Sequence, residues 1–199
     1  MSLRLTLFLR LPGRLVRCRL LERLAAATAA GFGVSYQTDP RSPFTQRLAH
    51  YAQFTAAEAS RVAQLKVAPA ESAAPAARPL YVNAQTLGSE LRRWLGVRHP
   101  DESLALLRFL YRQIGILTVE PPQRRSEATD STQPWTADIE ITKCFFADYY
   151  CATTCHLMSA VDEGIAAGLF GGATLTFCQR LTENGCCCRA IIRTLEDQS

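Results

Sequence analysis

Long apolar runs are missing from this chain: none approaches the roughly 18 residues of a membrane span. A continuous apolar core near the start is missing too, because Arg4, Arg10, Arg14 and Arg17 interrupt it, so a cleavable secretory signal is not expected. Histidine is scarce, with three in the chain, and no Cys-x-x-Cys pair occurs. The spacings of a zinc ribbon or finger are therefore absent. No nucleic-acid motif and no interleaved basic and aromatic stripe is present, which argues against a nucleic-acid partner. Acids are nearly missing over residues 4–23, where six arginines oppose Glu22 alone.

What remains is ordinary in bulk. Of the 199 residues, 48% are hydrophobic and 20% charged, with a net charge of +4, as in a soluble globular protein of one good-sized domain or a small domain with a helical extension. The eight cysteines stand out. A chain this long and this rich in apolar residues needs no disulfide scaffold. A reducing, cytoplasmic setting with free thiols is the expectation, and the cysteines are then core residues, metal ligands or reactive groups.

Residues 3–11 alternate Leu and Phe with polar or basic residues until Pro12-Gly13 breaks the pattern. A helix is expected over 14–30, with Leu15, Val16, Leu20, Leu21 and Leu24 near helical spacing and Gly31 as its stop. Its basic face reads as a solvated surface, as a weak peripheral membrane contact or as a transit-type segment. A second helix is expected over 44–66, an Ala/Pro linker over 67–79, and a short helix over 81–95 with Leu87, Leu91, Trp94 and Leu95 on its apolar face. His99-Pro100-Asp101-Glu102 marks the start of another helix, closed by Gly115, with a strand opening at Ile116–Val119. The polar, proline-rich stretch 120–136 reads as a long exposed loop. The fold class is thus α+β: a helical region (1–125), then a cysteine-rich module (134–199) of antiparallel strands with a packed helix, the two forming separate parts or one compact domain.

Seven of the eight cysteines lie between Cys144 and Cys188. Asp138–Thr142 alternates as a strand with one buried face. Cys155–Leu169 reads as a helix on which Cys155, Ser159 and Asp162 fall at i, i+4 and i+7 and so share a face. Gly171-Gly172 ends it. Asn184-Gly185 between two strand-like runs predicts a hairpin with a two-residue type I′ turn. That turn pairs Leu181 with Cys188, Arg180 with Arg189 and Phe177 with Ile192. One face then carries Leu175, Phe177, Leu181, Cys188, Ala190 and Ile192, and the other carries Cys178, Arg180, Thr182, Cys187 and Arg189. Two arginines facing each other invite either solvation or a carboxylate between them.

Cys144, Cys151, Cys155 and His156 could furnish four ligands for zinc or iron, a minority reading given their spacing; no metal or other cofactor is the main expectation. A nucleophilic thiol needs an acid/base group or a helix N-terminus nearby. Cys155 fits that pattern best, since it opens the expected helix and is followed by His156, Asp162 and Glu163. It equally fits a small buried hydrophobe, and His156 a structural histidine.

Taken together, Ile141-Thr142-Lys143-Cys144, Cys155 through Asp162, Thr176–Gly185 and Cys188 with its strand resemble the L-2-amino-thiazoline-4-carboxylic acid hydrolase-like family over roughly the last 60 residues. The chain departs from the family pattern at Ser159, where relatives commonly have a second Cys, and at Cys188-Arg189-Ala190, where they tend to have Cys-Asp-Phe. The resemblance implies a hydrolase that opens a cyclic C–N bond of a small sulfur-containing amino acid. On that reading Cys155 is a nucleophile or substrate-orienting thiol, and Asp162 is the acid/base or water-positioning group. Arg180 anchors a carboxylate, Cys144 and Cys188 line the pocket, and His156 and Ser159 stand beside it. A non-catalytic small-ligand or metal-binding module is the alternative.

Overall fold

The computed structural model describes residues 1–65, 74–119 and 134–194. Its centre is the helix Ala152–Phe170 (α6), which is buried on almost every side. An apolar helix without a polar face is stable only when covered all round. Here the cover is a layer of helices on one side and a four-stranded antiparallel sheet on the other.

The helical layer begins with Leu3–Arg10 (α1) and Gly13–Phe32 (α2). Residues 3–10 alternate as a strand would, yet they form a helix capped by Ser2, whose Oγ accepts from Leu5 N at 3.1 Å and donates to Leu95 O. Leu5 is fully buried while Leu3 and Leu7 are not, so two apolar faces of one helix produced the alternation. Helix α2 runs past Gly31 to a left-handed cap at Gly33 (φ 69°). Gly31 is needed for a different reason: a Cβ there would lie 2.8 Å from the Cα of Leu80. Leu15, expected on the buried stripe of α2, faces solvent, and Val16, Leu21, Leu24 and Ala25 carry the packing.

Phe44–Leu65 (α3) follows the expected helix closely. Ala74–Leu95 (α4) starts earlier than predicted and includes Pro79. The part of the expected linker over 67–73 lies outside the described residues, but 74–79 is helical. Alanine is the best helix former, which offsets part of the cost of Pro79, whose ring removes one helical hydrogen bond in the second turn. Burial of Leu80, Ala84, Leu87, Leu91 and Leu95 then holds the helix, while Trp94 stays exposed. Helices α4 and α6 touch backbone to backbone through glycines: a Cβ on Gly164 would lie 2.3 Å from Tyr81 O, and one on Gly168 2.3 Å from Gln85 O. Pro100–Gln113 (α5) has the expected start, a capping box in which Glu102 Oε2 accepts from the backbone N–H of His99 and of Arg98.

The strands are Ile116–Val119 (β1), Thr136–Cys144 (β2), Ala173–Gln179 (β3) and Cys188–Thr194 (β4), in the order β1-β2-β4-β3. The expected loop over 120–136 lies outside the described residues as far as 133, and its last residue, Thr136, already opens β2. Ile139, Ile141, Leu175, Cys188, Ala190 and Ile192 are buried against the helices, and one continuous core runs from Leu21 and Leu24 through Leu107 to Ile192.

The hairpin differs from expectation. Phe177 pairs with Ala190 and Leu175 with Ile192, and a bulge after Phe177 places Gln179 opposite Arg189. The chain then makes a 3₁₀ turn at Leu181–Glu183 and returns only at Cys188. Asn184 is left-handed (φ 61°), but Gly185 is not, so the type I′ turn, which needs both, cannot form. Arg180 and Arg189 are consequently not partners. Arg189 pairs with Glu140, its neighbour on β2, at 3.3 Å. Cys187, expected on the outer face with Cys178, is buried.

Candidate functional site

Helix α6 passes through the core with two adjacent carboxyl groups, Asp162 and Glu163, among its apolar residues, and Asp162 is the one that lines the cavity. Asp162 is accommodated because it borders a cavity of about 100 Å³ between α6, the helical layer and the β3–β4 connection. Leu24, Leu87, Leu107, Leu110, Met158 and Ile165 give this cavity a predominantly apolar wall. Three thiols open into it as well: Cys144 from the end of β2, Cys155 one helical turn into α6, and Cys188 from the start of β4. Four of the residues singled out from the sequence therefore meet in one enclosure.

Burial sets the protonation of these groups. Asp162 is pushed from an ordinary 3.8 up to about 7, first by desolvation and then by the neighbouring Glu163 carboxylate, while the Tyr111 phenol and Arg180 pull it down. Desolvation likewise pushes the Cys144 thiol up to about 12, against the lowering effect of the Phe146 and Ala147 N–H groups. Cys155 and Cys188 are raised for the same leading reason. The Cys188 sulfur also accepts from Leu181 N at 3.3 Å. At neutral pH the cavity thus presents protonated thiols and a carboxyl group poised to gain or lose a proton.

The expectation that Cys155 opens the helix is corrected by these positions. Cys151 is the N-cap, and Cys155 is the fourth residue of α6, half-buried. The lowered thiol belongs to exposed Cys151, through the Thr154 hydroxyl at 3.4 Å and then the backbone N–H groups of the first turn.

Arg180 stands beside the cavity rather than in its wall. Its Nη2 donates to Ser159 Oγ at 3.3 Å, and its guanidinium lies over the Phe177 ring at 5.0 Å. Ser159 in turn donates to Cys155 O at 2.9 Å, which ties the expected i, i+4 face together without bringing Ser159 into the cavity. On its other side Arg180 faces a polar groove with Tyr81, Glu163, Thr174 and Thr176. It acts electrostatically on Asp162, Glu163 and Cys155. His156 lies outside, exposed, with Nε2 2.5 Å from Glu183 Oε1, and so fastens the Leu181–Glu183 turn to α6. That turn carries Leu181 and Thr182 into the cavity wall.

Three aromatic hydroxyls border the cavity. Tyr51 is occupied with Thr28 Oγ1 at 2.9 Å, and Tyr150 with Thr55 Oγ1 at 2.5 Å. Tyr111 Oη is buried close to Asp162 without a hydrogen bond of ordinary geometry, and Thr182 Oγ1 and Arg180 Nε are likewise without one. Buried polar atoms of this kind call for a partner. In the sequence Tyr111 is marked only by a hydroxyl beside the leucines of α5 (Leu104, Leu107 and Leu110), and sequence reasoning does not single it out. Among the described residues no group of three or more His, Cys, Asp and Glu side chains is placed to hold a metal ion. Cys151 and His156 face solvent while Cys144 and Cys155 line the cavity, so the suggested four-ligand set does not converge.

No family model, no curated protein and no solved structure matches this chain.

Proposed function

We propose that this chain is a hydrolase of a small carboxylate-bearing heterocycle of the thiazoline type, with the reaction centred on Asp162. The observation that supports this most is a single carboxyl group, raised to about 7, sharing an apolar cavity with the thiols of Cys144, Cys155 and Cys188. A carboxyl with a pKa near the working pH serves as both general base and general acid. As base, Asp162 takes a proton from water as the oxygen bonds to the ring carbon. As acid, it returns that proton to the ring nitrogen; it then relays the second proton, from the hydroxyl now on that carbon, to the same nitrogen as the C–N bond breaks and the carbonyl forms. Cys155, with its raised thiol, orients the ring rather than attacking it. The Tyr111 hydroxyl, which lies beside Asp162, donates to the developing charge. Arg180 holds the substrate carboxylate with donors that Ser159 does not use. The resemblance of the C-terminal segments to the thiazoline-carboxylate hydrolases accords with this reading.

The test is incubation of the reduced protein with 2-aminothiazoline-4-carboxylate, with gain of one water followed by mass spectrometry. Turnover is expected in the native protein and a loss of at least a hundredfold in Asp162→Asn, the range of a general acid–base contribution. Turnover that survives Asp162→Asn sinks the assignment. The neutral thiols and apolar wall also favour a second reading, a non-catalytic binder of a small apolar ligand. On that reading the compound raises the melting temperature without being converted.

A further inference from the structure

We propose that the N-terminal face of this protein docks onto an anionic membrane surface. Helix α1 is fixed to the body by one side only. Leu5 is fully buried, the Phe8 ring meets Trp94 edge-on at 5.7 Å and Phe109 at 5.3 Å, and Ser2 is bonded to Leu95 O. The helix therefore has a set orientation, and what it shows to solvent is settled by that packing. It shows leucine: Leu3 is 75% exposed and Leu7, one turn on, 57%, and Leu11 at the C-cap follows at 41%. Leu15, at the start of α2, adds a fourth at 61%. Exposed Arg4 lies on one flank of the stripe and Arg10 on the other, with exposed Arg14 at its end.

Scattered exposed leucines are common, but a row of them bordered by arginines is a patch with a use. It has the make-up of a helix lying in the plane of a lipid interface, with apolar side chains below and guanidinium groups spreading to phosphates. Trp94, 57% exposed and joined to this face through the Arg4 hydrogen bond to its carbonyl, is the residue type enriched at that depth. No described helix is long and apolar enough to cross a membrane, so the contact is peripheral.

Charge identifies the partner. Six arginines lie over residues 4–23; Arg23 is paired with Glu90 at 3.8 Å, the one acid of the stretch, Glu22, is paired with Arg47 at 2.7 Å, and Arg4, Arg10 and Arg14 stand exposed beside the leucines. A second copy seated on the same face would set these arginines against their own kind, because a two-fold interface joins identical patches. Anionic headgroups complement them, at about 1 kcal/mol per basic residue, or roughly fivefold in binding.

The experiment is flotation of the full chain with phosphatidylcholine vesicles with and without phosphatidylglycerol. Binding is expected only when phosphatidylglycerol is present, and it should weaken as salt is raised. Leu7→Gln is expected to reduce the partition coefficient about tenfold, the value of one inserted leucine. Arg10→Gln with Arg14→Gln should reduce it by a similar or larger factor and flatten its salt dependence. These side chains are exposed, so both variants are expected to keep the native melting temperature, and either one suffices if the other misfolds. Absence of flotation, flotation of equal strength without phosphatidylglycerol, or a concentration-dependent dimer that Leu7→Gln abolishes would overturn the proposal.

Discussion

Replacing Asp162 by Asn should remove a large pH dependence from the stability of this protein. Burial raises the carboxyl from 3.8 to about 7 in the folded state. Between those values the folded chain keeps a proton that the unfolded chain has lost, so stability falls as pH rises through the window. Below it both states are protonated and the penalty vanishes; above about 7 the penalty is complete. At about 1.4 kcal/mol per pH unit, the full effect is about 4 kcal/mol. That is an upper figure, because Asp162 borders a cavity in which water screens charge. Asparagine is neutral throughout and of nearly the same shape. The variant should match the native protein at pH 4 and exceed it by up to about 4 kcal/mol at pH 8. Urea unfolding of both proteins, under reductant, at intervals across that range measures the difference directly. Glu102, lowered to about 2, also makes stability depend on pH, but it is common to both proteins and cancels; Glu163, whose carboxylate interacts with Asp162, is held constant by making the comparison in a Glu163→Gln background. A difference that stays flat from pH 4 to 8 would refute the buried, proton-holding carboxyl, and with it the acid–base role built on that group.

Gly168→Ala should destabilise the fold by about 1–3 kcal/mol, since its new Cβ would sit 2.3 Å from Gln85 O and force α4 and α6 apart. A melting temperature within a degree of the native value would contradict that packing. Among the thiols, alkylation at neutral pH should reach Cys151 well before Cys144 or Cys155, because only Cys151 is both exposed and lowered. Peptide mass mapping over time reads the order, and equally fast labelling of Cys144 in the folded protein would show that the cavity thiols are not held neutral.

Much of this arrangement is written in residue spacing. The helix expected over 44–66, the capping signal at His99–Glu102 and the shared face of Cys155, Ser159 and Asp162 each depend on local pattern, and each stands where the sequence put it. What periodicity missed depends on tertiary contact. Residues 74–79 have the composition of a linker, and they are helical because their continuation packs on α6. Helix α1 reads as alternation because it has two apolar faces, one used by the core and one left outside. Tyr111 looks like any other member of its stripe until Asp162, 51 positions later in the chain, is brought to it by the fold.

The hairpin shows why the cavity survived an incorrect register. The expected pairing set Phe177 against Ile192, whereas the strands pair it with Ala190, a displacement of two residues. Side chains alternate with period two, so an even displacement leaves every residue on its own face. Leu175, Cys188, Ala190 and Ile192 therefore still point inward, and Cys188 still reaches the cavity. The bulge after Phe177 acts oppositely. One extra residue inverts the alternation beyond it, and Arg180 is turned from the outer face toward Ser159 on α6. The same bulge separates two arginines that the regular register would have opposed, leaving Arg189 to Glu140 and Arg180 to the neighbourhood of Asp162 and Glu163. The repulsion that made the Arg180–Arg189 pair conspicuous in the sequence is thus relieved by the irregularity that delivers Arg180 to the site.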